Sequence, residues 1–385
     1  MPKKIKIFLF IDALGWDIVT HYNFLSEKLP ERRPVKMQFG YSCSAIPTIL
    51  TGLSPAEHGH LGLFQFAPEK SPFSGLINLD KILRPKNFWC RGRVRYWLSK
   101  LVKRYYGFTG YFQLYQMPFE KLGQMDYVEK HDIFAAGGLA PALNLRDILD
   151  KSGLSYHISD WRRSDEYNID AACKALKSGC NFLFIYTAGL DALRHRCGVE
   201  SPEIAAMLEW YCKRVGILLD TAHHYGDVDF TVLSDHGMTP LTGTVDIKNI
   251  INASGLRFGY DYGVCYDSTM ARFYYLTREA ERRIPELLKS YESAGHWLTQ
   301  EEEHRYGIYR ADRIFGDAIF LLNPGVQLVP SDLSLTAFNG MHGFAPEDLH
   351  SSAAILSNRA IPDYVVEVAD YFTYMKRAID ILKQE

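Results

Sequence analysis

The sequence has no run of 18 or more apolar residues, so no segment reads as a membrane-spanning helix. Its amino-terminal apolar run covers only residues 7–11 before Asp12 stops it, too short for the apolar part of a secretory signal. The seven cysteines (43, 90, 173, 180, 197, 212 and 265) are an odd set without a C-x-x-C pair or zinc-finger spacing. That argues against a disulfide framework and points to reduced thiols in a cytoplasmic protein. Charge of one sign is also missing. The 43 basic and 45 acidic residues leave a net charge of −2, so there is no global signature of nucleic-acid binding. There is no internal repeat or low-complexity tract. With 47% hydrophobic and 23% charged residues among 385, the composition is that of a soluble folded protein with a large core.

Apolar runs rich in β-branched and aromatic residues recur at "KIKIFLFI", "LSYHISD", "CNFLFIYTA" and "DVDFTVLSD", each reading as a strand buried on both faces. Helical patterns closed by glycine lie between them. One runs through "APALNLRDILDKSG"; another, after Ser201 and Pro202, runs to Gly226. Late in the chain come "DAIFLLN", "SAAILSN" and an amphipathic pattern through "YVVEVADYFTYMKRAIDIL". The alternation predicts an α/β fold with a largely parallel central sheet flanked by helices.

One absence is local. Residues 81–119 contain no Asp or Glu but nine basic residues, which leaves 34 basic against 45 acidic elsewhere. Aromatics crowd the same stretch. We read residues 66–139 as a basic, aromatic cap inserted into a core formed by residues 1–65 and 140–385, with 255–316 as a second, smaller insertion. Val94, Trp97, Leu98, Leu101, Val102 and Tyr105 follow helical spacing. The helix either lays this apolar stripe on the core as a lid or attaches the protein peripherally to anionic lipid, where a lipid-linked substrate would be presented. No RNA-binding motif accompanies it, and no nucleic-acid partner is expected.

Acidic residues stand at or just beyond the ends of three predicted strands: Asp12, Asp191 and Asp235. Open α/β sheets bind ligands beyond the carboxyl ends of their strands. Carboxylates gathered there repel one another unless a cation sits among them. Asp191 and His195 are four residues apart, so one helical turn aims both at one object. Asp235 and His236 are adjacent, which implies either a sharp turn or two ions. His342 lies in "NGMHGF", between glycines.

Taken in order, Asp12, "S-x-S-A-x-P-T-x-L-T-G-L-x-P-x-x-H-G" from Ser42, "D-x-x-x-H", "S-D-H-G-M" and "G-M-H-G" resemble the alkaline phosphatase superfamily, in particular its type I phosphodiesterase/nucleotide pyrophosphatase branch. The resemblance covers nearly the whole chain outside the basic insertion. It implies two zinc ions, or manganese or another divalent metal. One would be held by Asp191, His195 and His342; the other by Asp12, Asp235, His236 and the nucleophile. In that family the nucleophile lies nine residues before the Thr of the T-G turn, which here is Ser42. Ser44 then reads as the cap of a helix with Pro47 as its third residue, and Thr48 as a packed residue.

Two positions depart from the pattern. The diesterase branch usually has Thr where Ser42 stands, and an Asn where Leu63 stands, with Gln65 nearby as a stand-in. The sulfatase pattern is not met, since the positions that would be Pro and Arg are Ser44 and Ile46. The expected activity is hydrolysis of a small-molecule or lipid-linked phosphate ester, a diester or pyrophosphate, through a phosphoserine on Ser42. The alternatives are a phosphomonoesterase or phosphotransferase using the same site, and a non-catalytic membrane- or partner-binding protein that keeps the fold.

Overall fold

A computed structural model describes residues 3–76 and 86–384. Strand Lys4–Ile11 lies near the middle of a six-stranded sheet, hydrogen-bonded in parallel to Asp227–Leu233 on one side and Phe182–Thr187 on the other. Tyr156–Ile158 extends the sheet in parallel beyond Phe182–Thr187. At the opposite edge Ala353–Ser357 enters antiparallel, followed by Glu31–Val35. The sheet is therefore largely parallel, as the strand–helix alternation requires.

The central strand shows why its sequence is apolar throughout. Ile5, Ile7, Leu9 and Ile11 pack on one face with helices Asp165–Lys177 and Pro202–Tyr225. Phe8 and Phe10 pack on the other with helices Ser42–Thr51 and Asp370–Lys383. Burying such side chains stabilises the fold by about 1.5–3 kcal/mol each, and the period of two divides them between the layers. Ser201 caps the Pro202–Tyr225 helix, accepting from the Ile204 N–H at 3.3 Å. The carboxyl-terminal helix begins only at Asp370, so the apolar residues before it are not helical.

Ala318–Leu322 does not join this sheet. It belongs to a separate antiparallel sheet with Tyr262–Tyr266, Met270–Tyr275 and Gly295–Trp297, which buries its own apolar cluster against helix Arg278–Leu288. Within 66–139, strand Met125–Tyr127 pairs with Phe64–Phe66, and an aromatic cluster including Phe73, Phe112 and Tyr127 fills the space above them. Of the basic residues in this segment, Lys81 and Arg84 lie outside the described residues. No described helix is long and apolar enough to cross a membrane.

Candidate active site

Register builds the first half of the site. Phe10 pairs with Leu233, so the residues two steps on, Asp12 and Asp235, emerge side by side from the carboxyl edge of the sheet. Phe182–Thr187 ends level with Ile11 and leads into helix Gly189–Cys197, which carries Asp191 and, one turn later, His195. The Asp165 carboxylate fixes the start of this helix, accepting from the N–H groups of Ala188 and Gly189 at 3.1 and 3.0 Å. Gly340–Met341 pairs with Thr239–Pro240, which draws His342 to the segment that carries Asp235 and His236. Gly343 follows at φ +92°, and a Cβ there would lie 2.6 Å from the Tyr41 ring.

Two groups of three result. Asp191, His195 and His342 offer ligand atoms within 4.8 Å of one another, and so do Asp12, Asp235 and His236. The rings of His236 and His342 stack with centroids 3.7 Å apart, so the two groups adjoin. In each cluster a histidine turns a defined nitrogen inward. His195 Nδ1 donates to the Gly340 carbonyl at 2.9 Å, and His236 Nδ1 to the Gly237 carbonyl at 2.8 Å. Both Nε2 atoms then face the carboxylates, an arrangement that orients imidazoles for metal ligation. His195 Nε2 is 3.3 Å from Asp191 Oδ1, and His236 Nε2 is 3.2 Å from Asp235 Oδ2.

The carboxylates divide their oxygens in the same way. Asp235 Oδ1 accepts from the N–H groups of Ala13 and His236, and Asp12 Oδ2 accepts from the Tyr186 hydroxyl at 3.3 Å. Asp12 Oδ1, Asp191 Oδ1 and Asp235 Oδ2 are buried with no hydrogen-bond donor, and these are the oxygens that face the imidazoles. Burial, then the neighbouring Asp235 and Asp191, hold the Asp12 carboxyl well above its usual range. Burial also raises Asp235, whereas at Asp191 burial is outweighed by the His195, His342 and His236 imidazoles and the net shift is downward. Unpaired carboxylate oxygens interleaved with imidazole nitrogens fit a pair of divalent cations such as zinc.

Sequence reading missed the braces. Ala13 takes φ +60°, a left-handed conformation costly for a residue with a Cβ. Its N–H bonds Asp235, and its carbonyl accepts from Nη1 of the fully buried Arg194 at 2.8 Å. Arg194 also bonds Asp17 at 2.8 Å. It stands between Asp191 and His195 in sequence, but its long-range partners left no local trace.

Ser42 opens helix Ser42–Thr51, with Tyr41 as the residue before it. This corrects the expected start of the helix: Ser44 is inside it, donating to the Phe39 carbonyl at 2.9 Å, and Pro47 is deeper than the first turn. The correction moves Ser42 onto the first turn, where N–H groups lack intrahelical partners and favour an anion. Ser42 Oγ lies 3.1 Å from His236 Nε2. Thr48 is fully buried and its hydroxyl meets His58 Nε2 at 3.0 Å. Burial pushes the Cys43 thiol up, away from a reactive thiolate.

The first cluster, and Asp12 of the second, line a cavity of about 600 Å³ whose walls also include Ser42, Tyr111, Glu129, Trp161 and Tyr186. Leu63 lines it and Gln65 does not; Gln65 is buried in strand Phe64–Phe66. Glu129 is a further residue that sequence reading missed: its carboxyl is raised to about 8 by burial and then by Asp132, against the opposing charge of Lys103.

Carboxylates and imidazoles clustered at the carboxyl edge of an α/β sheet define a class, the metal-dependent enzymes. The chain belongs to the type I phosphodiesterase / nucleotide pyrophosphatase family, whose model matches residues 40–345. No curated protein matches it in sequence. Among solved structures it is similar to murine ectonucleotide pyrophosphatase / phosphodiesterase 5, at 15% identity and a TM-score of 0.67 over 98% of this chain and 95% of that one. An inactive threonine-to-alanine variant of the murine protein, in complex with AMP, matches at 14% and 0.65 with the same coverage. The human protein matches at 13% and 0.68, also over 98% and 95%. At these identities the likeness is one of fold.

Proposed function

We propose that the protein is a two-metal phosphodiesterase that works through a covalent phosphoserine on Ser42. The observation that carries this reading is the place of the Ser42 hydroxyl: at a helix start, on the cavity wall, 3.1 Å from His236 Nε2. Asp191, His195 and His342 would hold one ion, and Asp12, Asp235 and His236 the other, with Ser42 beside it. Bound zinc, or manganese or another divalent ion, would lower the pKa of the serine hydroxyl and polarise the phosphoryl oxygens.

In the proposed reaction the Ser42 oxygen bonds to phosphorus as the phosphorus–oxygen bond to the alcohol breaks. The serine proton passes to water and the departing alcohol takes one up. Water then cleaves the phosphoserine, which restores Ser42 and releases a phosphomonoester. The N–H groups of Ser42 and Cys43, ahead of those that bond the Tyr41 carbonyl, would face the phosphoryl charge. That the threonine-to-alanine variant of the murine neighbour, in complex with AMP, is inactive supports a hydroxyl at the centre of the chemistry.

The walls favour a diester over a more highly charged phosphate. Among the described residues that line the cavity, none is Lys or Arg. Asp267 is matched by Arg272 behind it at 2.7 Å, and burial pushes the Glu129 carboxyl up to about 8. A diester brings one negative charge, a monoester up to two. The seven free cysteines support a cytoplasmic location.

The test is release of 4-nitrophenol by zinc- or manganese-loaded protein. Bis(4-nitrophenyl) phosphate should turn over at least about tenfold faster than 4-nitrophenyl phosphate, and the activity should vanish with a chelator and return with metal. Metal-loaded protein that turns over neither ester would sink the reading.

A further inference from the structure

The Gly92–Tyr105 helix divides its apolar stripe, with Leu98 and Val102 facing inward and Trp97, Leu101 and Tyr105 facing outward. The outward residues Trp97, Leu101 and Tyr105 are 62%, 65% and 82% exposed, while Arg95 and Ser99 are each 3% exposed. The inward polar residues are firmly tied. Arg95 Nε donates to the Trp89 carbonyl at 2.9 Å and Nη1 to the Met117 carbonyl at 2.8 Å, with the guanidinium 4.1 Å from the Phe119 ring centre. Ser99 donates to the Arg95 carbonyl and accepts from the Leu114 N–H at 2.9 Å. Leu98 and Val102 complete the inner face. The orientation is therefore fixed by buried hydrogen bonds, and it leaves a large apolar surface in water.

We propose that the outward face of this helix docks on an anionic lipid surface. Trp97, Leu101 and Tyr105 stand at i, i+4 and i+8, one continuous stripe. Exposed Arg93, Lys100 and Arg104 lie on the same face, and Lys100 Nζ sits 4.5 Å from the Tyr96 ring centre and 5.1 Å from that of Trp97. Aromatic and aliphatic side chains flanked by Lys and Arg form an interfacial helix, the apolar stripe entering the headgroup boundary and the cations meeting lipid phosphates. A second copy of the same face would set basic residues against basic residues. A nucleic-acid strand would meet the cations but leave Leu101 uncovered.

The position is also apt. Lys103, on the flank of the helix, lies 5.3 Å from the Trp161 ring centre, and Trp161 lines the catalytic cavity together with Tyr111 and Tyr115, just beyond the helix. The side of the helix opposite the docked face thus adjoins the wall of the catalytic cavity.

The experiment is cosedimentation of the full chain with vesicles of phosphatidylcholine, with and without about one third phosphatidylglycerol, at low and high salt. Two triple variants accompany it: Trp97→Ser/Leu101→Ser/Tyr105→Ser and Arg93→Gln/Lys100→Gln/Arg104→Gln. We expect binding to the anionic vesicles only, weakened by salt, and reduced about tenfold or more in each variant. Turnover of a small soluble diester should be unchanged, which separates this result from any failure of the catalytic reading. The proposal is overturned if the parent protein ignores anionic vesicles at low salt, or if the apolar variant binds like the parent. It is equally overturned if the face binds a single-stranded oligonucleotide but not vesicles, or if it forms a dimer that the apolar variant abolishes while lipid is ignored.

Discussion

At the carboxyl edge of the main sheet, Asp12 and Asp235 stand side by side because two buried strands run in register. Along the Gly92–Tyr105 helix, Trp97 and Leu101 face water although their spacing is that of a buried stripe. The first region obeys a rule that leaves little choice: a strand buried on both faces must lie in the sheet, and the residues just past its carboxyl end must emerge at the edge. In the second, periodicity defines an apolar face without saying what will cover it. The competing inner face, with Arg95 bonded to two carbonyls outside its own helix, is invisible to a helical wheel.

The sharpest break between the regions should come from Ser42→Ala, which removes one hydroxyl from the edge. We expect turnover to fall by about 10³-fold or more, with metal content nearly intact and stability little changed. Retained activity in Ser42→Ala together with loss in Ser44→Ala would move the nucleophile. Asp235→Asn comes next: it should lower metal stoichiometry by about one ion and activity by at least about 10²-fold. An unchanged metal count, measured by elemental analysis, would detach Asp235 from the second cluster.

These effects concern residues that could be read from the sequence. Asp12, Asp191 and Asp235 showed themselves as strand-end acids, His195 by its helical offset from Asp191, and Ser42 by a count within a motif. What could not be read depends on long-range packing. Nothing local marks the buried Arg194 as the brace of Ala13 and Asp17, or places Glu129 in the cavity wall. The same limit explains the misplaced start of the Ser42–Thr51 helix. A proline suggested a first turn, but Ser44 is held from outside the helix by the Phe39 carbonyl.

Two smaller effects would sharpen the comparison from the inserted segment and its junction with the core. Glu129 holds its proton up to about 8 when folded, against 4.5 for the ordinary carboxyl, so folding takes up a proton between those values. Its contribution to stability is thus present at low pH and lost as pH rises through that window. Glu129→Gln cannot ionise, and its Tm should fall less between pH 5 and pH 8, by on the order of 5 °C; parallel curves in calorimetry would show that Glu129 ionises freely. The smallest effect is expected from Gln65→Ala. Gln65 lies outside the cavity, so kcat/KM should stay within about twofold, with a loss of about 1 kcal/mol from its buried position. A fall of about tenfold or more in kcat/KM would restore it to the site.

The central claim is that six side chains brought to one sheet edge hold two adjacent ions. Anomalous diffraction from crystals of the zinc-loaded protein tests it directly. The account predicts two peaks about 3.5–4 Å apart. One should lie about 2 Å from ligand atoms of Asp191, His195 and His342, and the other equally close to Asp12, Asp235 and His236. A single peak, or peaks away from these residues, would contradict it.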